Sequence, residues 1–162
     1  MLGRIKPVQL KSDLFLPWLI QGVMLASLVV YVIVCITLGD QIQQLQSEAQ
    51  RVLIRTILYV VAIVTFPMTN LLRYIQLSLN QTMPFSSIEP EGEAKKRYFV
   101  TIIVSMSLIE SVGIFGFVMF VLGDNFNTLY IFTGLSALGL FLYRPKAYEY
   151  ARIVGALTAQ QK

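Results

Sequence analysis

The chain has 162 residues, 56% of them hydrophobic and only 14% charged, with a mean hydropathy of +0.66 and a net charge of +4. An ordinary globular domain is roughly 25% charged, so a water-soluble core of this size explains neither figure. With no histidine and one cysteine, imidazole metal and haem sites, a Ser-His-Asp triad, an internal disulfide and an iron–sulfur cluster are excluded.

The apolar residues gather into four long runs: 14–38, about 52–79, 98–122 and about 126–143. A hydrocarbon core of about 30 Å needs about 20 helical residues, and the runs meet that length, the fourth only just. A membrane barrel would need at least about eight segments of alternating polarity. The expectation is an all-α, single-domain chain over 1–162, an integral membrane four-helix bundle. The first run exceeds the roughly 7 to 15 apolar residues of a signal peptide, and no small-residue cleavage site follows Leu38. It is expected to stay in the mature chain.

Arg4, Lys6 and Lys11 precede the first run, and Trp18 suits an aromatic belt. Cys35 reads as a small apolar residue near the far end of the run. In the first connection, Asp40 with Gln43 has capping-box spacing, and Ile42, Leu45, Ala49 and Val52 follow at helical period. The second helix is therefore expected to begin outside the bilayer. Within it, Pro67 removes a backbone hydrogen bond and predicts a bend. Arg55 and Arg73, toward its two ends, read as snorkelling anchors.

The second connection holds Asn80-Gln81-Thr82, a glycosylation acceptor that is inert on a cytoplasmic face. Ser86 with Glu89 repeats the capping signal, Pro90 suits a first helical turn, and Glu91 with Lys95 and Glu93 with Arg97 stand at i, i+4. The third helix is expected to project beyond the membrane as the second does. After the fourth run come Arg144-Pro145-Lys146 and a stretch over 147–157 that predicts a helix lying on the membrane surface. Tyr98 and Tyr143 are further belt candidates.

Eleven of the thirteen lysines and arginines fall on the side of the two termini and the second connection, and only Arg51 and Arg55 on the other. By the positive-inside rule both termini face the cytoplasm of an inner (plasma) membrane crossed several times. The net charge then reflects topology and contact with anionic headgroups. No basic stripe interleaves with aromatics, so nucleic acid is not an expected partner.

Glu110 lies at the middle of the third run, near the bilayer midplane, where insertion scales charge about 2.5 to 3.5 kcal/mol for an acidic residue. A proton on the carboxyl, a hydrogen-bond partner or a bound cation must offset that cost. Ser107 stands one turn before it, and antiparallel helices bring Thr65 and Ser136 closest to its depth, with Gln21 and Asn70 deeper toward the cytoplasm. These predict an ion- or proton-binding set of Glu110, Ser107, Thr65 and Ser136, with no metal centre and no cofactor. Gly113 and Gly116, with Gly134, Ala137 and Gly139 on the next helix, permit close helix packing.

Around this residue, Glu110-Ser111-Val112-Gly113-Ile114-Phe115-Gly116 resembles the ion-carrying helix of rotary ATPase proteolipids of the four-helix vacuolar type. That resemblance, over about seven residues, implies a proton- or sodium-binding role for Glu110 alone. The chain departs from the family in lacking repeated Gly-x-Gly rows in its first two helices, and in carrying the glutamate on its third helix instead of its last. Across its last two spans, to Arg144-Pro145-Lys146, it looks equally like small four-span bacterial membrane proteins without assigned function. The expected role is non-enzymatic. It is a structural or assembly subunit of a larger membrane complex, as homo-oligomer or beside other subunits. The alternative is a proton- or cation-linked transporter or channel component using Glu110.

Overall fold

The computed structural model describes residues 7–44, 46–84 and 89–160, with side chains from residue 13 onward. Among them the chain is all-α: α1 (Pro7–Ile42), α2 (Glu48–Thr82), α3 (Pro90–Val121), α4 (Phe126–Leu142) and α5 (Ala147–Gln160). Three helices, α1, α2 and α3, are each long and apolar enough to cross a membrane. With its 17 residues, α4 is about 26 Å long; it meets α5 at a 46° bend, and the two pass the same test only together. The fold is thus that of a membrane-compatible helical protein.

Helix α3 is the axis of the bundle. Of its most apolar 18 residues 44% are buried, against 17% in α1 and 11% in α2, and it packs against every other helix. The outer faces of α1 and α2 instead present aliphatic side chains such as Val23, Val29, Leu53 and Ile63. Tyr59 of α2 stacks on Phe132 of α4, with ring centroids 4.7 Å apart, beside buried Val112 and Met119. Toward one end, Cys35 is fully buried with Phe120 and Leu129.

Three glycines let the helices meet. A Cβ on Gly116 would stand 2.8 Å from the Phe132 Cβ and 3.1 Å from the Leu129 carbonyl oxygen. One on Gly139 would stand 2.5 Å from Ile109, and one on Gly113 would run into Leu28 of α1 and Ser136 of α4. Gly134 has open space around it. Gly113, Gly116 and Gly139 therefore serve packing within the chain.

The helix starts differ from the sequence expectation at one place and agree at another. α1 continues to Ile42, so Asp40 sits in its last turn and caps nothing. α2 starts behind Ser47, whose hydroxyl donates to the Gln50 side chain at 3.0 Å. Tertiary bonds decide this: the Gln44 N–H donates to the Val121 carbonyl at 2.7 Å, and Gln43 Nε2 to the Asp124 carbonyl at 3.2 Å. Leu45 and Ser86 lie outside the described residues. Pro90 does occupy the first turn of α3, and Arg97 donates to Glu93 at 2.9 Å across one turn. Lys95 reaches Asp13 of α1 at 3.1 Å.

α5 spends its apolar face on protein. Tyr150, Ile153, Val154 and Leu157 are buried with Ala94, Tyr98 and Ile102 of α3, because α3 starts eight residues before Tyr98 and so offers α5 a wall. Tyr98 is itself buried and is not a belt residue. The Tyr150 hydroxyl donates to Asp13 at 2.9 Å. Burial first, and Asp13 second, hold this phenol above its ordinary range, so it remains a donor.

Gly116→Val drives a branched side chain into the backbone of α4, and overpacking of this kind costs about 1 to 3 kcal/mol. Thermal unfolding in detergent is expected to show a lowered midpoint for Gly116→Val and little change for Gly134→Val.

Candidate functional site

Glu110 stands on the α1-facing side of α3 and is half-buried. Two hydroxyls from α1 converge on its Oε1: Ser27 Oγ, in a short contact, and Tyr31 at 3.3 Å. Ser27 and Tyr31 are four residues apart and so share one helix face. The Tyr31 ring is steadied by Phe117, two turns beyond Glu110, with centroids 5.6 Å apart. Gly113 sets the distance, because its missing side chain is what lets Leu28, beside Ser27, press onto α3.

Ser27 also lies 2.7 Å from the Met24 carbonyl of its own helix. A serine hydroxyl has one proton and two lone pairs. When that proton goes to the carbonyl, the contact with Glu110 is complete only if the carboxyl supplies a proton of its own. Among the described residues no ion pair includes Glu110, and no group of three or more His, Cys, Asp or Glu could hold a metal.

The hydroxyls expected beside Glu110 are not its hydrogen-bond partners. Ser107 is exposed on the outside of α3. Thr65 donates to the Val61 carbonyl of its own helix at 2.8 Å. Ser136 is buried on the α4 side and donates to the Ile109 carbonyl at 2.9 Å. Gln21 donates to the Leu140 carbonyl at 3.4 Å, and its buried Oε1 has no partner among the described residues. Asn70 is exposed and faces a groove near the end of α4. The pair Ser27 and Tyr31, with i, i+4 spacing in the first apolar run, was the available signal.

Both ends of the bundle carry charge clasps. Arg73 is buried, and its Nη2 reaches Glu149 of α5 at 2.6 Å; the two side chains are only 6% and 7% exposed. Arg73 also donates to the Tyr143 and Arg144 carbonyls at 2.5 and 3.3 Å. The Tyr98 hydroxyl donates toward Glu149 at 3.3 Å and accepts from the Lys146 N–H at 2.7 Å. At the other end Arg55 pairs with Asp124 at 3.3 Å, and Arg51 donates to the Gly123 carbonyl at 2.5 Å, where Gly123 turns with φ 88°. Arg73 is thus buried in an interhelical clasp instead of standing out as an anchor, while Arg55, 34% exposed, pairs with the α3–α4 turn. Asn80, within the glycosylation-like triplet, donates to Thr101 of α3 at 2.9 Å.

No known protein family, curated protein or solved structure matches the chain, so the chemistry of these residues carries the functional reading.

Breaking a buried pair strands a charge and costs about 3 to 5 kcal/mol, whereas replacing both partners with apolar groups is often neutral. Glu149→Leu is expected to destabilise the chain strongly in denaturant titration, and Arg73→Met added to it to restore most of the loss.

Proposed function

We propose that the chain is a four-pass membrane protein that serves as a structural or assembly subunit of a larger membrane complex, through the α1/α3 seam at Glu110. One observation carries this reading. Half-buried Glu110 and exposed Ser107, three residues apart on α3, bring polar groups from the middle of the third apolar run to the surface of the bundle. In hydrocarbon an acidic group at that depth costs about 2.5 to 3.5 kcal/mol, and a second helix that brings a hydrogen-bonding group to the seam offsets part of that cost. The stretches that follow α4 and precede α1 then lie in the cytoplasm, as the lysine and arginine count favours. A fourth pass by α4 fits a membrane slightly thinned at that point.

Cross-linking from Ser107→Cys, on a Cys35→Ala background in native membranes, is expected to trap a discrete stoichiometric partner. Ile63→Cys, on the 70% exposed outer face of α2, supplies the lipid-facing control. Equal, diffuse labelling at both positions and a monomer after gentle extraction would remove the subunit reading. Topology has its own check: cysteines at positions 44 and 125 should react with an impermeant reagent from outside, and rapid labelling only from the cytoplasm overturns the orientation.

The convergence of two hydroxyls on Glu110 favours a second reading, in which the carboxyl holds a proton or a cation for transport. A hydrophobic carbodiimide is then expected to modify Glu110 selectively, and Glu110→Gln to abolish the reaction while assembly persists. Protection by sodium marks a cation site; protection by raised pH alone marks a proton site. Absence of labelling between about pH 5 and 9, with no bound ion found, counts against this reading.

A further inference from the structure

Where α4 ends, α2 runs on past it, and an open groove of about 580 Å³ lies between α2 and the α4–α5 elbow. Its wall has two characters. On the side of the apolar spans, Tyr74 and Leu142 are 71% and 58% exposed. On the charged side stand Arg73, Lys146 and Arg152 against one carboxylate, Glu149. Arg73 and Glu149 neutralise each other within the groove wall.

Lys146 and Arg152 belong to none of the ion pairs among the described residues, so the groove keeps two uncompensated positive charges. The Lys146 ammonium stands 6.0 Å from the Tyr148 ring centroid, the limit of a cation–π contact. So distant a contact leaves the lysine's charge available. Apolar surface on one side, two free cations on the other, and tyrosines between them reproduce the profile of a lipid at the membrane interface. A soluble anion uses only the cations, and a zwitterionic lipid leaves their charge unbalanced.

We propose that this groove binds one anionic phospholipid, its phosphate on Lys146 and Arg152 and an acyl chain against Tyr74 and Leu142. The inference rests on the membrane placement of α2 and α4 given above and is independent of any protein partner.

The full chain in neutral detergent is offered phosphatidylglycerol or phosphatidylcholine in mixed micelles, and bound lipid is counted by native mass spectrometry. Phosphatidylglycerol is expected to be retained selectively. Each basic residue near an anionic surface is worth about fivefold in affinity, so the double variant Lys146→Gln/Arg152→Gln should bind it about thirtyfold more weakly. Arg144→Gln, exposed on the same elbow but not lining the groove, should change little. Equal retention of the two lipids overturns the proposal, as does a loss in Arg144→Gln as large as in the double variant, which marks diffuse attraction. Inorganic phosphate that raises the unfolding temperature as much as phosphatidylglycerol marks a soluble-anion site and also overturns it. Alkaline extraction of the native membrane separates the underlying premise. A chain that stays in the pellet but shows no lipid preference loses this inference alone, and one released into solution loses the membrane reading as well.

Discussion

Helix α3 packs against all four other helices, and glycine lets two of them, α1 and α4, come close to its backbone. At Gly113 and Gly116 the surface of α3 is flat, and α4 answers with Gly139 opposite Ile109. Between apolar helices in a membrane there is little hydrophobic driving force, so close van der Waals packing must supply the association. The same approach places Leu28 over Gly113, and with it the face of α1 that carries Ser27 and Tyr31. The surroundings of Glu110 are therefore a consequence of a packing constraint one turn away.

The clasps at the two ends act on a different principle. Arg73 and Glu149 come from helices that are neighbours only because α3 extends past the end of α4 and gives α5 a wall to pack on. A buried pair is weak evidence for stability, since desolvation consumes most of the Coulomb gain. Its geometry does tie α2, the α4–α5 elbow and α5 into one unit through the Tyr143 and Arg144 carbonyls. Arg55 and Asp124 do the same for α2 and the α3–α4 turn. With both ends tied, the seam between α1 and α3 leaves Glu110, at the middle of the third apolar run, half-buried. That is the physical basis for looking to Glu110 for a partner helix or a transported ion, and to the elbow groove for a lipid.

The presence of the long apolar helices and the first turn of α3 were legible in the sequence because they depend on local quantities. A run of about 20 apolar residues, Pro90 in a first turn and Glu93 paired with Arg97 are each settled within a few residues of chain. The position of Glu110 at the middle of the third apolar run was legible for the same reason, since it follows from counting. Which side chains meet that carboxyl depends on how α1 and α3 are rotated about their own axes, and a largely apolar surface leaves rotation unmarked in the sequence. Depth matching alone therefore pointed to Thr65 and Ser136, while rotation presented Ser27 and Tyr31. Arg73 and Glu149, 76 residues apart, and the start of α2, held by bonds to Val121 and Asp124, were decided in the same way. Each is a contact between segments distant in sequence, whose meeting was set by packing around the glycines of α3 and by the length by which α3 outruns α4.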